Sequence, residues 1–185
     1  MTTHGAFRGI PRDDLGFLNS AGRPDVFHRT NLPRVGLDDV AALATGVMTS
    51  VDLWLIEGDL VTNLSFCSGG TAAGTPTNYW FALYDPAGAL LSQSADQLTA
   101  AWAADTWKTL ALGTAYRATR SGRYKAGISV TATTPPTLVG SVAAKSLLTG
   151  ETDLARTSGS ALTGTAPATI ATPAYKRQCP LVIAT

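Results

Sequence analysis

From residue 47 onward, apolar and polar positions alternate with the period of two that strands require. Val47, Thr49, Val51, Leu53 and Leu55 alternate with Met48, Ser50, Asp52, Trp54 and Ile56, so both faces of this first run carry apolar side chains. Glu57-Gly58-Asp59 reads as a tight turn, and residues 60–67 alternate again. Two such runs across a glycine-containing turn predict an antiparallel hairpin. Residues 68–78 (SGGTAAGTPTN) read as a flexible loop before the most aromatic strand, residues 79–84. Asp85-Pro86-Ala87-Gly88 fits a type I turn, because Asp bonds the turn backbone, Pro presets φ and Gly ends it. Residues 89–94 then return, and residues 95–107, with Trp102 and Trp107, read as a loop or one helical turn. Residues 108–112 and 115–119 are short strands. After Ser121-Gly122 comes the clearest alternation, Tyr124, Ala126, Ile128 and Val130 against Arg123, Lys125, Gly127, Ser129 and Thr131. Pro135-Pro136 closes that run, residues 137–142 continue it, and residues 180–183 supply a last strand.

About eight short strands, each ended by a turn signal, predict an all-β fold, an antiparallel β-sandwich of jelly-roll type. Parallel α/β architecture is excluded because no amphipathic helices separate the strands. The sandwich is assigned to residues 46–185, with a low-complexity loop over residues 145–176 that runs across its own surface or a neighbour's. Residues 1–45 read as an extended N-terminal arm. Pro11, Pro24 and Pro33 interrupt regular structure there, and Phe7, Leu15, Phe17, Leu18, Val26 and Phe27 follow no sustained period. A short helix over residues 37–44, opened by Asp38 or Asp39 and stopped at Gly46, is the one regular element expected in the arm.

Composition narrows the classes. The 185 residues are 45% hydrophobic and only 15% charged, with a net charge of +1, 29 Ala and 26 Thr. Disordered chains are poorer in apolar groups, so disorder is excluded. No run approaches the roughly 18 apolar residues of a membrane span, and Met1-Thr2-Thr3-His4 lacks the charged and apolar regions of a signal peptide. The near-neutral balance argues against a dedicated nucleic-acid binder. Cys67 and Cys179 read as packed or half-buried thiols, and with His4 and His28 they offer no zinc spacing. Asn63-Leu64-Ser65 is read as strand.

No catalytic, cofactor-binding or metal-binding residue is assigned, because no nucleophile, Walker or zincin motif occurs. The glycines Gly69, Gly70 and Gly74 lack the lysine and helix of a phosphate loop. Asp52, Glu57 and Asp59 cluster at the predicted hairpin, with Asp85, Asp96 and Asp105 in loops, and leave glycoside hydrolysis as an outside alternative. Arg117, Arg120, Arg123 and Lys125 form a basic patch on one predicted hairpin. It is read first as charge that discourages edge pairing, and second as a seat for an anionic partner. Among the tryptophans, Trp54 and Trp80 are assigned by strand position to core or interface. Trp102 and Trp107 are the candidates for stacking on a sugar.

Between Asp59 and Gly140 the phrases GDLVTNLSFCSGGTAAGTPTNYWFALYDPAGALLSQSADQ, AWAADTWKTLALGTAY, SGRYKAGISV and TTPPTLVG resemble a β-sandwich module of virion proteins from tailed phages of actinobacteria. The resemblance implies a non-enzymatic virion component, a minor tail or capsid-surface decoration protein without cofactor. A chain of that kind, located in the virion, is expected to have as partners other virion proteins and copies of itself, and the symmetry of a particle favours a trimer or higher homo-oligomer. In that reading Phe7, Phe17, Leu18, Val26 and Phe27 carry burial at an assembly interface, and Arg8, Arg12, Arg23 and Arg29 orient it. The alternative is a carbohydrate-binding module for a host-surface glycan.

Overall fold

The computed structural model describes residues 27–40 and 42–185. Among the described residues every regular element is a strand. A four-stranded sheet runs in the order β1 (Arg29–Thr30), β13 (Val182–Ala184), β4 (Leu60–Cys67), β7 (Trp107–Arg117). A six-stranded sheet runs in the order β11 (Ala174–Tyr175), β10 (Ala155–Ser158), β3 (Met48–Leu55), β8 (Gly122–Thr134), β5 (Gly74–Tyr84), β6 (Leu90–Gln93). A three-stranded sheet, β12 (Gln178–Pro180), β9 (Leu138–Val142), β2 (Asp38–Val40), completes the fold. Every pairing is antiparallel, as the alternation predicted.

The two larger sheets face each other across one core. Val51, Leu53, Leu55, Phe81, Leu83, Ile128 and Val130 meet Leu64, Phe66, Leu110 and Val182 there. Phe66 and Phe81 pack edge to face with centroids 4.8 Å apart. Each such side chain contributes about 1.5–3 kcal/mol on full burial.

The residues that alternate best are buried on both faces. Tyr124, Ala126, Ile128 and Val130 point into this core, while Lys125 and Ser129 are also buried, on the opposite side. That outer face is covered by the low-complexity stretch. Leu162, Ala166 and Ile170 pack against Met48, Trp80, Ala82 and Tyr84 as a second core. The cover is pinned by side chains from the sheet. Trp80 Nε1 donates to the Thr163 carbonyl at 2.6 Å, and the Tyr84 hydroxyl donates to that of Pro167 at 3.0 Å. Small residues let this backbone lie close to the sheet without forming strands, which is why it shows no period of two.

Several local expectations are corrected. The runs on either side of Glu57-Gly58-Asp59 do not pair as a hairpin. Both edges of β3 are occupied, by β8 and β10, so the chain crosses to the facing sheet and β4 pairs with β7 and β13. The turn is held by the Ile56 N–H donating to Asp59 Oδ2 at 2.8 Å. Among the described residues of 37–44 there is no helix but the strand β2, paired with β9. The strand expected from residue 79 begins at Gly74, and the two strands expected over residues 108–119 are the single β7. The type I turn forms as predicted, with the Gly88 N–H bonded to the Asp85 carbonyl at 3.0 Å. The domain also begins before residue 46, because β1 and β2 belong to its sheets.

Candidate functional site

The outer face of the six-stranded sheet carries the densest polar chemistry of the described residues. Asp52 on β3 lies opposite Lys125 on β8, and both side chains turn away from the main core. Arg156, reached through the pairing of β10 with β3, joins them through an ion pair from its Nη2 to Asp52 Oδ1. The Thr152 hydroxyl donates to Asp52 Oδ2 at 3.2 Å. Lys125 Nζ donates to the Pro86 carbonyl at 2.6 Å, which ties the cluster to the turn after β5. Burial lifts the Asp52 carboxyl above the usual carboxylate range, against the pull of Arg156 and Lys125. Burial also lowers Lys125, with Asp52 opposing the shift. A buried group of this kind fixes geometry more than it adds stability.

At its end nearest the β3–β4 crossing this face opens to solvent. Pairing of β10 with β3 covers Met48 to Val51 and stops short of Trp54, which is left 55% exposed on a central strand. The cross-strand partner of Trp54 is Arg123, also exposed. Arg123 lines a concavity of about 480 Å³ together with Leu148, Thr149, Gly150, Glu151 and Thr152. Glu151 shapes its rim, since its Oε2 accepts the Leu147 and Leu148 N–H groups at 3.1 and 3.3 Å. Thr152, bonded to Asp52, roots the rim in the ionic cluster below.

A second cleft, of about 550 Å³, lies where the described chain begins. Phe27, Gly58, Asp59, Leu60, Thr62, Asn63 and Thr185 line it. Arg29 reaches across from β1 to pair with Asp59 at 2.6 Å, with both side chains nearly buried, and stacks over the Phe27 ring at 4.9 Å. Asn31 extends the clamp, donating to the Pro180 carbonyl at 2.8 Å and accepting from the Val182 N–H at 2.9 Å.

The residues singled out by sequence are distributed unevenly over these places. Phe7, Arg8, Arg12, Phe17, Leu18, Arg23 and Val26 lie outside the described residues. Phe27 and Arg29 pack on their own domain, so Arg29 is matched to an internal carboxylate. Trp102, a stacking candidate, is only 1% exposed. Its loop folds back over the end of the core, the ring sits 5.8 Å from both Tyr79 and Phe81, and Nε1 donates to the Thr106 carbonyl at 3.2 Å. Trp107, first residue of β7, is 42% exposed. Trp80 is buried as expected, whereas Trp54 is not.

The four cations do not share a hairpin, because β7 and β8 belong to different sheets. Arg117 donates to the Gly58 carbonyl at 2.8 Å, Arg120 and Arg123 are exposed, and Lys125 is buried in the cluster. The carboxylates are likewise separated by their partners. Asp52 pairs with Arg156, Asp59 with Arg29, and Glu57 is exposed. Asp96 accepts from Asn78 and the Tyr79 N–H, and Asp85 from the Ala89 N–H, as turn carboxylates do. Among the described residues no three His, Cys, Asp or Glu side chains gather to hold a metal. Both cysteines are free thiols, Cys67 half-buried and Cys179 buried. What sequence reasoning missed is the pair Trp54 and Arg123. Its signal lay in their equivalent positions on two alternating strands, but the edge of the cover that exposes them is not written locally. No protein-family model matches the chain, and no curated protein matches it.

Proposed function

We infer that the chain is a non-enzymatic structural component of a phage virion, a minor tail or capsid-surface decoration protein. In this reading it docks through its N-terminal segment and displays the sandwich. The observation that supports it best is the construction of the root of that segment. Arg29, Asp59 and Asn31 fasten β1 to the edge of the four-stranded sheet, and the chain enters there beside an open cleft lined by Phe27 and Leu60. A firmly rooted segment of 26 residues containing Phe7, Phe17, Leu18, Arg8, Arg12 and Arg23 suits burial on neighbouring virion subunits. Copies arranged by the symmetry of a particle would multiply weak contacts of this sort.

The clamp also sets where the segment is to be cut. Deletion of residues 1–26 is expected to leave a folded domain that no longer joins the particle, read as the chain's occupancy in purified virions. A truncated chain that incorporates at normal occupancy sinks the docking claim.

A further inference from the structure

We propose that the Trp54–Arg123 face with its adjoining concavity is a binding site for an acidic carbohydrate, a chain of sugar rings bearing carboxylates. The proposal is independent of the assembly reading, since it uses the opposite sheet from the one that holds β1.

Three separate observations converge on this site. The first is a flat aromatic platform, Trp54, which pairs with Arg123 on β8, lies beyond the last β3 residue paired with β10, and is 55% exposed. The open face of its indole suits the C–H-rich face of a pyranose. The second is Arg123, directly across the strand pair, whose guanidinium makes no hydrogen bond or ion pair among the described residues. A guanidinium presents a planar fork of donors that matches a carboxylate two-point fashion. The third is the concavity beside them, lined by Arg123, Thr149, Gly150, Glu151 and Thr152 with the single apolar side chain Leu148. A ring platform next to a hollow of mixed polar and apolar surface suits a ligand that is apolar on one face and hydroxyl-rich at its edges. A flat protein partner has no need of the hollow.

The site is also preorganised from below. Thr152 is held by Asp52, Asp52 by Arg156, and Glu151 fixes the rim through the Leu147 and Leu148 N–H groups. Little ordering is then left to offset on binding.

The test uses the full chain and a panel of oligosaccharides bearing uronic or sialic acids, each with its neutral counterpart, followed by tryptophan fluorescence and calorimetry. Wild type is expected to bind a member of the acidic set, with Trp emission changing on titration. Trp54→Ala should weaken that binding at least tenfold. Arg123→Gln should bring the acid and its neutral counterpart to equal affinity. Both side chains are exposed, so unchanged melting curves will show that the variants are folded. Silence across the acidic panel at millimolar sugar overturns the proposal. So does binding that both variants leave intact, or a Trp54-dependent affinity for a peptide or protein with none for sugars.

Discussion

Asp52 and Cys179 show how far a single side chain's behaviour is set by where the fold puts it. Asp52 is flanked by two buried cations, so Asp52→Ala leaves Arg156 and Lys125 facing each other beneath the cover. The expected loss is about 3–5 kcal/mol, read as the shift of a urea unfolding curve. Replacing the pair together, Asp52→Leu with Arg156→Met, should recover part of it, because Lys125, held by the Pro86 carbonyl, is then the one buried charge left in the cluster. Cys179 makes a pH prediction. Burial pushes its thiol up to about 11 from the ordinary 9.0, so across that interval the unfolded chain has released a proton that the folded chain keeps. Stability therefore falls as pH rises from 9.0 toward about 11, by roughly 2–3 kcal/mol. Cys179→Ala should flatten that slope in melts taken at successive pH values. Neither environment is legible in the sequence, where Asp52 is one polar residue in an alternating strand.

At the scale of elements, alternation and turn chemistry were readable and partner choice was not. The Asp85-Pro86-Ala87-Gly88 turn joins β5 to β6 as its residues require, and Tyr124, Ala126, Ile128 and Val130 point inward in the predicted order. The turn at Glu57-Gly58-Asp59 looks equally local. Whether it folds a strand back or sends it across depends on β10, more than 90 residues further along the chain, occupying the other edge of β3. Trp54 is exposed and Trp102 buried for the same reason, one lying beyond the end of a distant cover and the other beneath a folded-back loop. Close approach between elements makes its own prediction at Gly140, in β9. A Cβ there would lie 2.3 Å from the Cys179 carbonyl oxygen and 2.9 Å from Pro180 Cα, both backbone atoms of β12. Gly140→Ala should destabilise by about 3 kcal/mol, read by thermal melting, because neither contact yields by a side-chain rotation.

For the molecule as a whole, one sandwich is closed at one edge by β1 and over one face by the stretch of residues 159–173. The domain takes in β1 and β2, so it starts before residue 46. Deleting residues 1–26 should leave the melting temperature within a few degrees of the full chain's. Deleting residues 1–34 removes β1, takes the Arg29 guanidinium away from the buried Asp59 carboxylate and frees the β13 edge. That second truncation is expected to lower stability by about 3 kcal/mol or more, and equal melting curves for the two would contradict the role given to the clamp.

Thr185 and Phe27 border the same hollow, and the backbone of Thr185 is tied to β4 through Asn63 in both directions. Any reporter or displayed cargo spliced on after position 185 would therefore be delivered to the doorway of the N-terminal tail. A graft at a remote turn would leave that hollow clear.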